Sequence, residues 1–263
     1  MTKKIGLALG AGSTKGFAHI GVLEALKENG IPVDMISGCS MGAIIGAIYA
    51  AGSDMRMLEK FVLALNLKEY LDLKNPFTGG LIGGDRLEEL IRILTHDKDF
   101  SEAVTPFCCV AVDAENGRLD VLEQGKMYRA VRASMSIPAI FRPVQLYGKT
   151  YIDGGVMERV PCRVLRDRGM DAVIAVDVGY HGNETDVSGM NAYQLMNHTI
   201  SIMTWEITKL REEDADITLV PEVLYVKGHF QMDKIAETIA EGRRVAEEAM
   251  PQIRRLCGCE QRA

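Results

Sequence analysis

The most informative part of this sequence is residues 33–51, which read VDMISGCSMGAIIGAIYAA. A short apolar, strand-like run opens it, and Met41 to Ala51 has the pattern of a helix. Between the two lies G-x-S-x-G, from Gly38 to Gly42, which predicts the tight strand–turn–helix bend that exposes a nucleophilic serine. Glycines two residues before and after Ser40 are expected there, because side chains would clash in the bend. Ser40 would then lie at a helix N-terminus, where free amides and the helix dipole stabilise negative charge.

A second motif, GAGSTKG at Gly10 to Gly16, follows a predicted first strand at Lys4 to Leu9. It is not a P-loop, because Lys15 comes too early and no G-K-[ST] follows. A dinucleotide site would require an acidic residue at the end of the second strand, where this chain has the serine motif instead. The carboxyl ends of the two strands are expected to meet at one sheet edge. The sequence therefore predicts an oxyanion hole for Ser40 made by the backbone amides of Gly10, Ala11, Gly12 and Met41.

A third motif is D-G-G at Asp153, Gly154 and Gly155, directly after the strand-like residues 150–152. Taken alone, an aspartate followed by two glycines is typical of a turn. A serine hydroxyl, however, is a poor nucleophile until a base takes its proton. Asp153 is a candidate for that base, although a carboxyl with an ordinary pKa near 3.9 is a weak one.

The rest of the chain alternates strand-like and helical segments, which predicts an α/β fold with a mainly parallel central sheet and helices on both faces. No repeat, low-complexity segment or long linker divides residues 1–263, so we expect a single domain. The further predicted strands are 106–113, 119–122, 144–152 with a turn at 147–148, 172–178 and 217–220. The further predicted helices are 16–29, 54–65 capped by Ser53, 85–94 capped by Asp85, 126–135, 161–168 with Pro161 first, 190–210 and 232–256.

Composition excludes several classes of function. The chain has 263 residues, 30 Lys and Arg against 36 Asp and Glu, and a net charge of −6, so nucleic acid is not an expected partner. The most apolar segment, residues 41–51, is far shorter than the ~20 residues of a membrane span. The run after Lys3 and Lys4 is too short for a signal peptide, so a cytoplasmic protein with free thiols is expected. The six cysteines lack zinc-site spacing, and neither a metal nor a cofactor is predicted.

The five histidines are His19, His96, His181, His198 and His229. His181 alone follows a predicted strand at the place where a catalytic triad would have its histidine. His19 is expected to be a packed or capped residue of the first helix, and His96 to end the helix at 85–94. A general carboxylesterase that uses His181 therefore stays an alternative.

Taken together and in this order, G-x-G-x-x-K-G, G-x-S-x-G and D-G-G resemble the patatin-like phospholipases. Two further stretches match, GFAHIGVL at 16–23 and ASMSIPAIFRP at 133–143. The resemblance extends from Lys4 to about Pro161 and more loosely beyond, and the chain is most similar to the short bacterial single-domain members. It departs from the pattern at Ala11, where many relatives have a third glycine.

The resemblance implies a patatin-like three-layer sandwich and a catalytic dyad without histidine. Ser40 would be the nucleophile and Asp153 its direct partner as general base, with an acyl-serine intermediate and carboxylic esters of lipids or phospholipids as substrates. The motif residues implied to support the site are Lys15, Gly16, Gly38, Gly42, Gly154 and Gly155. The sequence leaves open whether Lys15 faces the oxyanion or packs against the fold.

Long acyl chains would require an apolar groove near Ser40. Candidate groove residues are Met135, Ile137, Ile140, Phe141 and a stripe on the helix at 190–210, namely Met190, Tyr193, Asn197, Ile200, Met203 or Thr204, and Ile207. The partner expected is a lipid or ester substrate, while transient contact with a membrane surface and a homo-oligomer are left open. A lipid-binding or regulatory protein of low turnover stays an alternative, and a dinucleotide-dependent oxidoreductase is disfavoured.

Overall fold

The computed structural model describes residues 3–70, 80–211, 214–223, 225–226 and 232–259. The strands are β1 Ile5–Leu9, β2 Met35–Gly38, β3 Gly80–Ile82, β4 Phe107–Asp113, β5 Arg118–Leu122, β6 Ala139–Phe141, β7 Val144–Leu146, β8 Lys149–Asp153, β9 Ala172–Val176 and β10 Ile217–Leu219. The helices are α1 Ala18–Glu28, α2 Met41–Ala50, α3 Met55–Ala64, α4 Asp85–Leu94, α5 Met127–Ser134, α6 Cys162–Asp167, α7 Ala192–Lys209 and α8 Ile235–Cys257. None of the helices in these ranges combines the length and apolar character needed to cross a membrane.

The main sheet has the strand order β10-β9-β1-β2-β4-β8-β7, and β5 also pairs with β4. The five strands from β10 to β4 are parallel, whereas β5, β7 and β8 form antiparallel pairs. The expected α/β class with a mainly parallel sheet is confirmed. Parallel strands β1, β2 and β9 all begin on one side of the sheet, so the loops that follow them meet at one edge.

Helices cover both faces of this sheet. Alternate residues of the strands pack into two different clusters, as the two-residue period of a strand requires. Leu7 of β1 and Ile174 of β9 belong to the larger cluster with α1, α2 and α8, whereas Ala8 and Val173 belong to the smaller cluster with α6. Because both faces are buried, these strands read in the sequence as continuous apolar runs.

Two strands meet end to end along the same edge of β4. Gly38, the last residue of β2, pairs with Cys109, and Asp153, the last residue of β8, pairs with Ala111. Strand β5 pairs with both Cys109 and Ala111 from the other edge, so β2 and β8 share the edge that β5 does not use. They run in opposite directions, and their carboxyl ends face each other across a single intervening residue of β4, Val110. This arrangement brings two distant parts of the chain together.

Several local predictions require correction. Asp54, not Ser53, caps α3, because its carboxylate accepts the Met57 amide. Gly84 caps α4, whose first residue is Asp85, and Pro161 is the cap of α6 rather than its first residue. The first helix is preceded by a 3-10 turn at Ser13–Phe17. A small second sheet, β3 paired with β6, was not predicted at all.

Candidate active site

Ser40 lies in a strained bend between β2 and α2. It caps α2 with φ 53° and ψ −118°, a left-handed backbone conformation that costs about 1–3 kcal/mol for a residue with a side chain. A Cβ on Gly42 would overlap the carbonyl oxygen of Leu9, and one on Gly38 would lie 2.6 Å from the Cα of Ala43. The two glycines of the motif are therefore needed because β1, the bend and α2 approach so closely.

Asp153 is buried at the end of β8, with only 5% of its surface exposed. Its Oδ1 accepts the amide of Gly155 at 2.7 Å and faces the Cys39 thiol at 3.7 Å. Burial raises the pKa of this carboxyl from 3.8 to about 6, although bonds from Ser40, Gly155 and Cys39 lower it in part. The carboxylate is thus a stronger base than the sequence alone suggested, yet it is still ionised at neutral pH.

The side chains of Ser40 and Asp153 meet at this point. The Ser40 hydroxyl favours the ionised carboxylate of Asp153 through a side-chain hydrogen bond. The Oδ2 atom of the same carboxylate is buried and has no partner that meets regular hydrogen-bond distances and angles. The carboxylate therefore keeps an unused acceptor beside the hydroxyl, where a transferred proton could be received.

The glycine turn after β1 provides fewer free amides than the sequence suggested. The Gly10 amide donates to Val176 O at 3.0 Å, and the Ala11 amide donates to Arg159 O at 2.9 Å. Within the described ranges, the amides of Gly12 and Met41 donate to no protein group. Of the four backbone amides predicted to bind an oxyanion, those of Gly10 and Ala11 are therefore occupied, and those of Gly12 and Met41 stay candidates.

His19 holds the same turn in place. Its Nε2 lies 2.8 Å from the carbonyl oxygen of Gly10, and the residue is fully buried. Burial lowers the pKa of His19 to about 4, so the ring is neutral at pH 7. Since a carbonyl oxygen only accepts, Nε2 must carry the proton and donate it. The sequence correctly suggested a packed histidine but gave no sign of this bond to the glycine turn.

Lys15 is half-buried on the side of the turn near Arg159 and Asp177. Burial and the Arg159 charge lower its pKa, while Asp177 raises it. Arg159 and Asp177 line a cavity between α7 and the ends of β9 and β10. The charged groups that influence Lys15 therefore belong to that cavity and not to the Ser40–Asp153 pair. The remaining motif residue, Gly16, packs against Met41, because a Cβ there would overlap the Met41 side chain.

A narrow apolar cleft of about 80 Å³ opens at Ser40. Met135, Ile137 and Phe141 line it as predicted, whereas Ile140 belongs to the core and does not. The predicted stripe at 190–210 does not line it either, apart from Tyr193, whose side chain lies outside the described part of the chain. The walls come from α2, α3 and α4 instead, through Ile44, Ile45, Ile48, Leu58, Phe61, Val62, Leu87, Leu90, Ile91 and Leu94.

A separate cavity of about 400 Å³ lies between α7 and the ends of β9 and β10. It contains a buried ion pair between Arg159 and Asp177, at 2.5 Å, and an ion pair between the partly exposed Arg211 and the buried Glu158. His181 lines this cavity and packs edge-on against Trp205, 4.7 Å between ring centres. The candidate triad histidine is thus in the second cavity and not in the cleft that holds Ser40.

The other histidines are also placed away from the pair. His96 contacts the Ser53 hydroxyl, and His198 packs against Tyr180, while His229 lies outside the described residues. Sequence reasoning missed Ser134, whose hydroxyl accepts the amide of Ser40 at 3.0 Å. Its only signal was its place in the ASMSIPAIFRP stretch.

Comparison with known proteins gives the same family as the motifs. A family model described as patatin-like phospholipase matches residues 7–166. Lysophospholipase NTE1 of Cryptococcus neoformans is 34% identical over 190 residues, which cover 67% of this chain and 11% of that protein. Human patatin-like phospholipase domain-containing protein 6 is 34% identical over 192 residues, covering 70% and 14%. The matched region thus spans only a small part of these curated relatives.

Among solved structures, VipD from Legionella pneumophila is similar to this chain with a TM-score of 0.56. The match covers 95% of this chain and 67% of that one, at 13% sequence identity. A likeness at this identity concerns the fold alone. It agrees with the three-layer arrangement of a central sheet between helices, and that prediction is confirmed.

Proposed function

The chain belongs to the patatin-like phospholipase family, and from this premise we propose that it is a serine hydrolase that cleaves carboxylic esters of lipids. One observation carries the proposal. The hydroxyl of Ser40, held in a strained bend, lies beside a buried carboxylate with a raised pKa, at the mouth of an apolar cleft. These are the parts that acyl transfer to serine requires.

The proposed reaction begins when the Ser40 oxygen attacks the ester carbonyl and its proton passes to Asp153. The carbonyl oxygen takes the negative charge and is stabilised by the amides of Gly12 and Met41. Collapse of this intermediate breaks the ester bond, and Asp153 returns the proton to the departing alcohol. Water then gives a proton to Asp153 and attacks the carbonyl carbon of acyl-Ser40. The bond between that carbon and the Ser40 oxygen breaks, Asp153 returns the proton to the Ser40 oxygen, and the fatty acid leaves.

The raised pKa of Asp153 allows this aspartate to act as the general base without a histidine. A carboxyl with a pKa of about 6 is ionised at neutral pH but accepts a proton about a hundred times more readily than one near 3.8. A base with a pKa close to the working pH is the most effective general base. The Oδ2 atom, which lacks a well-aligned partner, is the acceptor we assign to the proton.

The substrate class follows from the cleft. Among the described residues, its walls are almost entirely aliphatic and aromatic side chains and include no charged group, which suits an acyl chain. Single-chain lipid esters such as lysophospholipids are proposed first, because the relative from Cryptococcus neoformans is named a lysophospholipase. A carboxylesterase dependent on His181 is less well supported, since His181 lines the other cavity.

The test is to assay the purified protein with lysophospholipids and p-nitrophenyl esters, and to label it with a fluorophosphonate. Ser40→Ala and Asp153→Asn should each abolish ester hydrolysis, and Ser40→Ala should also abolish labelling. Ser201→Ala on α7 and Asp186→Asn, neither of which lines the cleft, are the matched controls and should behave as wild type. Unchanged turnover by Ser40→Ala would end the proposal. A protein that binds lipid but neither labels nor hydrolyses would instead be the low-turnover alternative.

A further inference from the structure

A single turn at the end of α5 bonds to both members of the proposed dyad. The Ser134 hydroxyl accepts the Ser40 amide at 3.0 Å, and the carbonyl of Ser136 accepts the Asp153 amide at 2.9 Å. Both serines are fully buried. The residues they hold come from the ends of β2 and β8, so this turn is a third element that fixes the distance between those ends.

The bond from Ser134 acts on the strained backbone of Ser40. The Ser40 amide nitrogen begins the bond about which φ of Ser40 has its left-handed value of 53°. This amide donates its hydrogen bond to the Ser134 hydroxyl oxygen. Removal of the acceptor would leave a buried amide unpaired, and the bend could relieve this by rotating the Ser40 peptide. Such a rotation would move the Ser40 oxygen away from Asp153 and from the ester.

A buried arginine anchors the same turn. Arg132 donates to the Ser136 hydroxyl at 2.8 Å, and that hydroxyl donates back to the Arg132 carbonyl at 2.9 Å. The guanidinium also donates to the carbonyls of Gly83 and Arg142, at 2.5 and 3.1 Å. Gly83 directly precedes the cap of α4, a wall of the cleft. Arg132 therefore connects the turn that bonds to the proposed dyad with the segment that leads into α4, one wall of the cleft.

We propose that Ser134 is a positioning residue for the Ser40–Asp153 pair, and that Arg132 and Ser136 hold Ser134 in place. The inference rests on the proposed function. It goes beyond that function because Ser134 bonds to the Ser40 amide and is not among the residues that line the cleft, so it acts through the backbone of Ser40. Its effect is on the rate of acyl transfer and not on the affinity for lipid.

The decisive variant is Ser134→Ala, compared with Ser37→Ala as a matched control. Ser37 is also a fully buried serine with one hydroxyl bond, to Pro161 O at 2.7 Å, and lies on the strand that leads into the bend. Both variants lose one buried hydrogen bond, so both should lower the melting temperature by a similar amount. Ser134→Ala alone should lower kcat, by roughly 10- to 100-fold, because a misplacement of about 1 Å reduces rates on that scale. KM should stay within about twofold, and the pH dependence should keep its midpoint, since the Asp153 carboxyl is untouched.

Two outcomes would overturn the inference: wild-type kcat in Ser134→Ala, or an equal loss of kcat in Ser37→Ala. Wild-type protein that hydrolyses no ester would instead contradict the proposed function. In that case the crystal structure of Ser134→Ala decides the inference by itself. A Ser40 φ that leaves the left-handed region would support positioning, and an unchanged Ser40 backbone would refute it.

Discussion

At the scale of single residues, the buried carboxyl of Asp153, the proposed general base, lowers the stability of the fold. Its folded-state pKa is about 6 and its ordinary value 3.8, so between these pH values the folded chain binds more protons than the unfolded chain. Stability must therefore fall as the pH rises through this window. Above it, the buried carboxylate lowers the free energy of unfolding by roughly 3 kcal/mol. The strained backbone of Ser40 adds a further loss of about 1–3 kcal/mol.

Asp153→Asn should consequently make a more stable protein that has lost its activity. The amide cannot ionise, and its oxygen can still accept the Gly155 amide. We expect the free energy of unfolding at pH 7.5 to rise by about 1–3 kcal/mol, and this gain to shrink when urea denaturation is repeated near pH 4. Ester hydrolysis should fall by about a thousandfold or more. Lower stability than wild type at pH 7.5 would show that the carboxylate is well solvated or paired.

The pH dependence of kcat/KM should report the same carboxyl. Only the ionised form of Asp153 can accept the serine proton, so activity should rise with pH and reach half its maximum at about pH 6. A histidine with an ordinary pKa near 6.5 would give a similar curve, so His181→Asn is the necessary control. This variant should keep both the midpoint and the rate. Loss of the acid limb or of acyl-enzyme formation in His181→Asn would restore a histidine-dependent mechanism.

At the scale of elements, periodicity predicted those parts whose side chains are buried on a regular face. Strands β1, β4 and β9 and helix α2 were predicted within about two residues, because uninterrupted apolar runs and a G-x-S-x-G bend are strong local signals. The pairing of β3 with β6 was missed, since each strand has three residues and its partner is distant in the chain. The cap at Asp54 was missed by one position, because Ser53 and Asp54 are both good capping residues.

Local sequence patterns likewise predicted only part of the candidate site. The residues of the three motifs were predicted, and the structure brings Ser40 and Asp153 together, with Met41 next to Ser40 at the start of α2. The amides of Gly10 and Ala11, in contrast, are occupied by acceptors at Val176 and Arg159, which no local pattern could identify. Ser134 and the cleft walls on α3 and α4 were missed for the same reason. Their role depends on which elements pack together and not on any sequence signal of their own.

The contact between α1 and α8 provides a test in which local and tertiary effects have opposite signs. A glycine within a helix is less favourable than alanine by about 1 kcal/mol, so propensity predicts that Gly242→Ala stabilises α8. A Cβ on Gly242 would, however, overlap the carbonyl oxygen of Ala18. We expect a net loss of about 1–3 kcal/mol in the free energy of unfolding. Ala240→Gly, at an exposed position of the same helix, measures the propensity alone. A stabilised Gly242→Ala protein would mean that the two helices separate easily.

At the scale of the whole molecule, the meeting of Ser40 and Asp153 is a consequence of strand order. Parallel strand β2 and antiparallel strand β8 share one edge of β4, and their carboxyl ends face each other. A purely parallel sheet would send these two ends to the same edge of the sheet but on different strands. The mixed sheet instead places them in line, and the turn at Ser134 then fixes both. The proposed dyad and the turn that bonds to it thus come from three segments that become neighbours only in the folded chain.

The cleft is likewise built by the whole molecule, since α2, α3, α4, the end of α5 and β6 each contribute a wall. Its volume of about 80 Å³ is well below the ~300–1,000 Å³ of typical ligand pockets, so a long acyl chain requires the walls to separate.

Phe61 of α3 is a half-buried wall residue of this cleft with a large ring, and Phe61→Ala should enlarge the cleft directly. The ratio of kcat/KM for long to short p-nitrophenyl esters should rise by about tenfold, as expected for one or two methylene groups newly accommodated. Met57→Ala, at a mostly exposed position of the same helix, should leave the ratio unchanged. Equal ratios in both variants would show that the acyl chain binds elsewhere, because Phe61 lines the cleft and Met57 does not.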